Sequence, residues 1–121
     1  MSPAVGPYSP VRRAGEWVIT SGQVGLTTDN IGNTVLAPGG TIPELHAALA
    51  NVANVLSQEG ATLDDVVKTT LYLIDMSEFA AVNEVFAEYF TERPTRSAVA
   101  VAALPAGARV EIEAWAYVPL R

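Results

Sequence analysis

The chain has 121 residues and a mass of 12.8 kDa, and 50% of its residues are hydrophobic, which favours one compact domain spanning residues 1–121. It contains no cysteine, which excludes disulfide-dense secreted scaffolds and cysteine-ligated metal sites. Seven basic and 13 acidic side chains give a net charge of -6, the wrong sign for holding a phosphate backbone. We therefore expect no nucleic-acid partner.

The sequence has no recognisable targeting or membrane segment. Residues 1–7 lack the basic start and continuous apolar stretch of a secretory signal. The longest run of small apolar residues, Ala98 to Ala103, is far shorter than the ~20 residues that a membrane-spanning helix needs. We expect a cytoplasmic protein with no membrane partner.

In chain order, the first half predicts a strand, a loop and a helix. Bulky and β-branched residues from Glu16 to Ser21 indicate the strand. Glycines and a proline between Gly32 and Gly40 are typical of a loop or short hairpin. The helix opens with the capping-box spacing of Thr41 and Glu44 and ends at Gly60. Its apolar stripe consists of Leu45, Ala48, Leu49, Val52, Val55 and Leu56.

The next stretch predicts a central strand and a second helix. Val66 to Ile74 is too apolar on both faces for an exposed edge strand. Asp75 and Ser77 are both suitable N-caps for the helix, and Arg93-Pro94 ends its pattern. The apolar positions of this helix are Phe79, Val82, Phe86 and Tyr89 or Phe90.

The last quarter predicts two more strands, Arg96 to Leu104 and Arg109 to Val118. The intervening Pro105-Ala106-Gly107 favours a hairpin. The second strand alternates, so one face carries Val110, Ile112, Ala114, Ala116 and Val118, and the other carries Arg109, Glu111, Glu113, Trp115 and Tyr117. The predicted fold class is α+β: a single mixed β-sheet with two helices packed on one face.

The opposite face of this sheet mixes carboxylates with Trp115 and Tyr117. Such a face is too aromatic for simple exposure to solvent. Tyrosine and tryptophan are typical of protein interfaces. We infer an oligomer.

Few side chains suggest nucleophilic or metal chemistry. His46 is the only histidine, so no histidine-based metal site is expected, and it fits a partly exposed helix residue better than a general base. Ser21 and Ser97 offer hydroxyl groups, but nothing in the sequence places a base beside either. No glycine-rich phosphate loop is present.

Arg96 is more informative, because it opens an apolar run that otherwise resembles a buried strand. A guanidinium cannot lose its proton, so Arg96 either pairs with Glu111 or Glu113 or receives a ligand carboxylate through a bidentate fork. By residue type alone, the internal ion pair is favoured.

Glu111 and Glu113 lie two residues apart on one predicted strand, and hence ~7 Å apart on the same face. A partly desolvated carboxylate has a raised pKa and is suited to activating water. Ordinary solvated or ion-paired carboxylates explain the two residues equally well.

Six motifs, in this order and spacing, resemble those of the RidA/YjgF family, which is also named the L-PSP endoribonuclease family. They are Gly6-Pro7-Tyr8-Ser9, Ser21-Gly22-Gln23, Asp65-Val66-Val67-Lys68-Thr69-Thr70, Phe79 with Asn83, Arg93-Pro94-Thr95-Arg96-Ser97, and Leu104-Pro105 followed by Val110-Glu111-Ile112-Glu113-Ala114. The resemblance spans nearly the whole chain.

The resemblance implies a chorismate-mutase-like fold, assembled as a homotrimer with ligand clefts between subunits. It implies hydrolysis of reactive enamines and imines, released by pyridoxal-phosphate enzymes, to 2-oxo acids and ammonia. The chain would then be a 2-iminobutanoate/2-iminopropanoate deaminase whose ligands are small 2-imino and 2-oxo acids. The family's activity needs no cofactor and no metal.

The resemblance also implies roles for individual residues. It assigns the substrate carboxylate to Arg96, which reverses the preference for an internal ion pair, and the attacking water to Glu111, with Glu113 structural. The remaining implied cleft residues are Tyr8, Ser21, Gly22, Asn83, Ser97 and Ala98. Ala98 stands where some members carry cysteine and mainly offers backbone.

Two other functions remain open at this point. Family members have been named endoribonucleases that inhibit translation, although the acidic composition argues against stable RNA binding. A non-catalytic trimer that captures small carboxylates and regulates a partner is also compatible with the fold.

Overall fold

Within residues 6–120, which the computed structural model describes, six strands form a mixed sheet and two helices pack on one of its faces. Residues 1–5 and 121, which include most of the segment that we argue is no secretory signal, lie outside the described residues. The strands are β1 (Val11–Ala14), β2 (Trp17–Thr20), β3 (Gln23–Val24), β4 (Leu26–Thr28), β5 (Thr34–Leu36), β6 (Val66–Leu73), β7 (Thr95–Ala100) and β8 (Val110–Tyr117), and the helices are α1 (Thr41–Ser57) and α2 (Phe79–Tyr89).

The main sheet has the order β1-β2-β8-β6-β7, and the short β3 also pairs with β8. Only β6 and β7 run parallel, joined by α2 as a crossover, while the other pairs are antiparallel. β4 and β5 form a separate two-stranded hairpin, as the glycine-rich stretch there suggested. The predicted α+β class and the central position of β6 are confirmed.

The predicted hairpin between the last two strands is wrong. β7 and β8 do not pair, because β6 lies between them and bonds to both. Pro105–Gly107 forms a 3-10 turn, with Ala106 at φ 60° and Gly107 at φ 72°, on a connection that crosses the end of β6. Backbone bonds from Val101 N to Leu73 O and from Ile74 N to Arg109 O fasten this crossing.

The core lies between α1, α2 and the inner face of the sheet. All six residues of the predicted α1 stripe are fully buried. Alternation along β8 also holds, with Val110, Ile112, Ala114 and Ala116 buried beneath the helices. Gly60, at φ 76°, follows the end of α1, as predicted.

The predicted capping box at α1 does not form, although the helix begins where expected. Gly40 is the N-cap, and no side chain caps the helix. Thr41 Oγ1 instead donates to Glu78 Oε1 (2.8 Å) and accepts from Arg109 Nε (2.9 Å), while Glu44 Oε1 accepts from Arg109 N (2.8 Å). Both side chains therefore bond to distant residues around Arg109 and do not cap the helix.

A 3-10 turn at Met76–Glu78 leads into α2, and the Asp75 carboxylate caps this turn by accepting from Ser77 N at 2.9 Å. The N-cap of α2 itself is Glu78 and no side chain caps the helix, so the prediction that Asp75 or Ser77 caps it is wrong. His46 Nδ1 lies 2.7 Å from Tyr89 Oη, in a contact between the two helices. In the described part of the chain, neither helix is long and apolar enough to cross a bilayer.

The face of the sheet away from the helices carries a cluster of aromatic rings. Trp17 packs edge-on against Trp115 (centroids 6.0 Å apart) and Tyr117 (5.1 Å), and Lys68 Nζ lies 5.3 Å from the Trp115 ring. Trp115 and Tyr117 still expose 36% and 41% of their surface. The oligomer inferred from these residues stays a prediction.

Candidate active site

Arg96 lies on β7, the edge strand, and its side chain points towards α2. It pairs in register with the fully buried Thr69, which fixes it on the helix side of the sheet. Its Nη2 donates to Asn83 Oδ1 at 2.8 Å. The guanidinium carbon lies 5.1 Å from the centre of the Phe79 ring and 4.8 Å from that of Phe86. An amide and two aromatic rings therefore hold the group.

The charge of Arg96 has no internal counterion among residues 6–120. No carboxylate there lies within 4.0 Å of its guanidinium, whereas Arg109 and Arg13 both have glutamate partners. Burial lowers the pKa of Arg96, but a guanidinium remains charged at neutral pH. The internal ion pair favoured by residue type alone is therefore wrong, and N–H donors of this group are left for an anion.

Glu111 lies on β8, on the opposite face of the sheet. A Cβ added to Gly22 would lie 2.6 Å from Glu111 Oε2, so this glycine lets the backbone lie directly against the carboxylate. Burial raises the pKa of Glu111, and the negative charge of Glu113 adds a smaller upward effect. The surroundings of Glu111 therefore favour the protonated form of its carboxyl group.

Glu113 has a defined partner on the neighbouring strand. Tyr72 Oη donates to Glu113 Oε1 at 2.8 Å. This bond is the main reason that the pKa of Tyr72 is raised, so the phenol stays a donor. Tyr72 was not identified from the sequence. The available signal was its position on the same face of the predicted central strand as Thr70.

Ser21 and Tyr8 belong to the Glu111 side. Ser21 Oγ donates to Ser9 O at 2.6 Å, and Ser21 N donates to Pro10 O at 2.9 Å. These bonds tie the segment that contains Tyr8 to the loop before β3. Tyr8 itself exposes 49% of its surface.

Ser97 and Ala98 follow Arg96 on β7 and lie on opposite faces of the sheet. Ser97 pairs in register with Thr70 and is exposed on the outer face of the edge strand. Ala98 pairs with Leu71 and packs against the core. Within residues 6–120, no three or more histidine, aspartate or glutamate side chains lie close enough together to hold a metal ion.

The predicted site residues thus form two groups that one protomer does not bring together. Arg96 and Glu111 lie two strands and three register positions apart, so their Cα atoms are roughly 14 Å apart, on opposite faces. The first group, on the helix side of the sheet, is Arg96, Asn83 and Ala98, and the second is Glu111, Gly22, Ser21 and Tyr8, while Ser97 is exposed on the same outer face as Glu111. Sequence reasoning did not foresee this division.

Comparisons with known proteins agree with the fold. A family model described as endoribonuclease L-PSP matches residues 1–118. The chain is 45% identical to the 2-iminobutanoate/2-iminopropanoate deaminase of Mus musculus, over 92% of this chain and 81% of that one.

Two solved structures are similar across most of their length. RidA from an Antarctic Psychrobacter species is 39% identical with a TM-score of 0.85, covering 97% of this chain and 94% of that one. TdcF of E. coli, solved with bound serine, is 34% identical with a TM-score of 0.84, covering 95% and 91%. The chain therefore belongs to the endoribonuclease L-PSP family, the same RidA/YjgF family that its sequence motifs resemble.

Proposed function

We propose that this protein hydrolyses small 2-imino acids, such as 2-iminobutanoate and 2-iminopropanoate, to 2-oxo acids and ammonia. Mammalian relatives 40–45% identical to the chain carry the name of this activity. The observation that carries the proposal is the Arg96 guanidinium, which has no internal carboxylate partner among residues 6–120. Such a cation suits a substrate that always presents a carboxylate.

The active cleft forms between protomers of a homotrimer, with Arg96 of one copy opposite Glu111 of another. This arrangement is supported by their positions on opposite faces, which are too far apart for one small substrate to touch both within a protomer. The exposed aromatic cluster of Trp17, Trp115 and Tyr117 supplies a face of the kind that protein interfaces use.

Binding comes first in the proposed mechanism. Arg96 holds the substrate carboxylate through a bidentate fork, while Asn83 and the two phenylalanine rings keep the guanidinium plane fixed. The serine bound in TdcF, itself a small amino acid with a carboxylate, supports a ligand of this class. Tyr8, Ser21, Gly22, Ser97 and Ala98 line the remainder of the cleft.

Glu111 then acts on water. The attacking water gives one proton to the Glu111 carboxylate as its oxygen bonds to C2, and Glu111 passes that proton to the imine nitrogen, which gives a neutral tetrahedral carbinolamine with one hydroxyl and one amino group. The hydroxyl proton is then transferred to the amino nitrogen through Glu111, the C2–N bond breaks as the C2=O bond forms, and ammonia and the 2-oxo acid are released. An imine is already electrophilic when protonated, so orientation and charge placement suffice, and no nucleophilic side chain is needed.

The direct test is a threonine dehydratase reaction with semicarbazide as the trap for released imine. Wild-type protein should lower semicarbazone formation. Arg96→Ala should weaken substrate binding by about ten- to a hundredfold, because it removes a charge-assisted contact. Arg93→Ala is the matched control, since Arg93 lies three residues away and donates only to carbonyls at the end of α2.

Two results would contradict the proposal. Semicarbazone formation that wild-type protein leaves unchanged rules out the activity. An Arg96→Ala variant as active as Arg93→Ala rules out the assigned anchor.

Glu111→Gln separates the enzyme from a non-catalytic carboxylate-binding trimer. Pyruvate binding, measured by calorimetry, should persist because Arg96 is intact, while turnover should be lost with the carboxylate. A wild-type protein that binds pyruvate without turnover would favour the binding module. The cytoplasmic location and the lack of nucleic-acid and membrane partners stay predictions.

A further inference from the structure

We propose that Tyr72 and Glu113 are positioning residues for Glu111: the tyrosine hydroxyl fixes the Glu113 carboxylate, and Glu111 alone is left to exchange the proton of the attacking water. This inference rests on the proposed deaminase function. It gives Glu113 a part in the reaction, beyond the structural role that the family resemblance implies.

The strand register places the three side chains side by side. Tyr72 pairs with Glu111 across β6 and β8, and Thr70 pairs with Glu113. The Tyr72 hydroxyl reaches diagonally past its own partner to Glu113 Oε1, at 2.8 Å. Diagonal neighbours on one sheet face are within reach of a long aromatic side chain. The Tyr72 side chain thus starts opposite Glu111 and ends on Glu113.

The hydrogen bond gives the two glutamates different surroundings. Glu113 accepts from a phenol, whereas Glu111 lies against the Gly22 backbone. Two carboxylates that face one another without such a difference share a proton and titrate as a coupled pair. Because the hydrogen bond from Tyr72 fixes the Glu113 carboxylate, Glu111 is the one left to exchange a proton with water.

The charges around Glu111 are few within the described residues. Its own strand presents Glu113, whose negative charge raises the pKa of Glu111, and β6 presents Tyr72. The loop and strand on the other side present Gly22, Gln23 and Val24, which do not titrate. Burial is the main cause of the raised pKa of Glu111, and Glu113 is the charged group within the described residues that raises it further.

The test is a pH titration of the Glu111 side-chain carboxyl carbon by NMR in the full chain, with the signal assigned by its loss in Glu111→Gln. Glu113→Gln keeps an oxygen for Tyr72 but removes the charge, so the Glu111 midpoint should move to lower pH. Tyr72→Phe releases Glu113 from its place beside Glu111, and the midpoint should move in the same direction.

A second tyrosine–glutamate pair on the same sheet provides the matched control. Tyr117 Oη donates to Glu16 Oε1 at 3.0 Å, at the other end of β8 from Glu111. Glu16→Gln makes the same chemical change as Glu113→Gln and should leave the Glu111 midpoint in place. An unchanged midpoint in Glu113→Gln, or an equal shift in Glu16→Gln, would overturn the proposal.

Kinetics give the second readout. The acid limb of the pH dependence of kcat/KM should move to lower pH in Glu113→Gln, and Tyr72→Phe should lower kcat roughly three- to tenfold with KM little changed, since Arg96 is untouched. A KM effect that exceeds the kcat effect in Tyr72→Phe would contradict a positioning role. The NMR shift does not depend on turnover, so a shifted midpoint in an inactive wild-type protein would retain the pair and reject the deaminase function.

Discussion

The Arg96 guanidinium is held by the Asn83 amide and two aromatic rings, which fix its plane without neutralising it. Arg109 illustrates the contrast, since its Nη2 lies 2.9 Å from Glu78 Oε1 and its charge is matched. Partial burial of an unmatched cation is unfavourable for folding. Within residues 6–120 no carboxylate pairs with this charge, so a ligand carboxylate can balance it.

Glu111 is likewise a partly buried ionisable group, but its charge is negative. Its pKa is raised in the folded protein, first by burial and then by Glu113, so on raising the pH the unfolded chain loses this proton before the folded one. The free energy of unfolding therefore falls as pH rises from the ordinary carboxyl range through the folded-state pKa, and the loss persists at neutral pH.

Glu111→Gln should consequently raise the free energy of unfolding at pH 7 and have much less effect at pH 3, where the carboxyl is protonated in both states. Urea unfolding at the two pH values measures this. Glu84→Gln, which changes an exposed carboxylate on α2, removes the same charge and serves as the control. Equal gains from the two variants would show that net charge, not the site, is responsible.

At the scale of elements, the position of the loop that holds Gly22 against Glu111 depends on how tightly the chain that follows this loop packs on α1. Asn51 Nδ2 donates to both Val24 O and Leu26 O, each at 3.0 Å. Gly25 lies between these two acceptors, and a Cβ there would lie 2.3 Å from Glu44 O and 2.6 Å from Glu44 Cα. The backbone of the first turn of α1 therefore lies directly against the backbone at Gly25.

Gly25→Ala should lower the free energy of unfolding by about 3 kcal/mol, because the obstructing atoms are helix backbone and cannot move aside. Gly22→Ala is the matched comparison, since its Cβ would meet only the end of the Glu111 side chain. We expect that variant to keep most of its stability and lose turnover. Similar urea midpoints for the two variants would contradict this account.

Elements whose signals are local and periodic were predictable from the sequence. The α1 stripe and the alternation of β8 are examples. Two local signals were misleading because distant residues competed for the same groups: Arg109 recruits Thr41, and β6 inserts between β7 and β8. The strand β1 was missed, since its two arginines hide the alternation.

The candidate site was predictable as a set of residues but not as an arrangement. Arg96 and Glu111 could be identified from motifs in the sequence. The face of the sheet on which each side chain lies depends on strand register and on the order of β7, β6 and β8. A one-residue change of register exchanges the two faces of a strand. Linear spacing therefore carries no information on whether the two groups meet within one chain.

At the scale of the whole molecule, the proposed cleft predicts complementation between two inactive variants. Arg96→Ala and Glu111→Gln should each be inactive alone. If the variants are unfolded together and refolded at equal amounts, about a quarter of the clefts in random trimers should combine an intact Arg96 with an intact Glu111 from another copy. About a quarter of the wild-type rate should return.

The deaminase assay with semicarbazide measures the recovered rate, and each variant refolded by itself is the control. Light scattering on the same samples gives the mass of the assembly. No recovery in trimers of confirmed mixed composition would place both groups in one protomer's site and reject the divided cleft.

Because Arg96 and Glu111 point away from each other across the sheet, the proposed enzyme has no working form as a single chain. If the cleft is shared in this way, freshly synthesised copies are inactive until they associate, and activity depends steeply on cellular concentration at low abundance. Dilution is then expected to abolish activity before the protomers unfold. A copy that has lost both groups would inactivate two clefts of a trimer, the one to which it would give its arginine and the one to which it would give its glutamate, so we expect a damaged allele to impair its healthy counterpart.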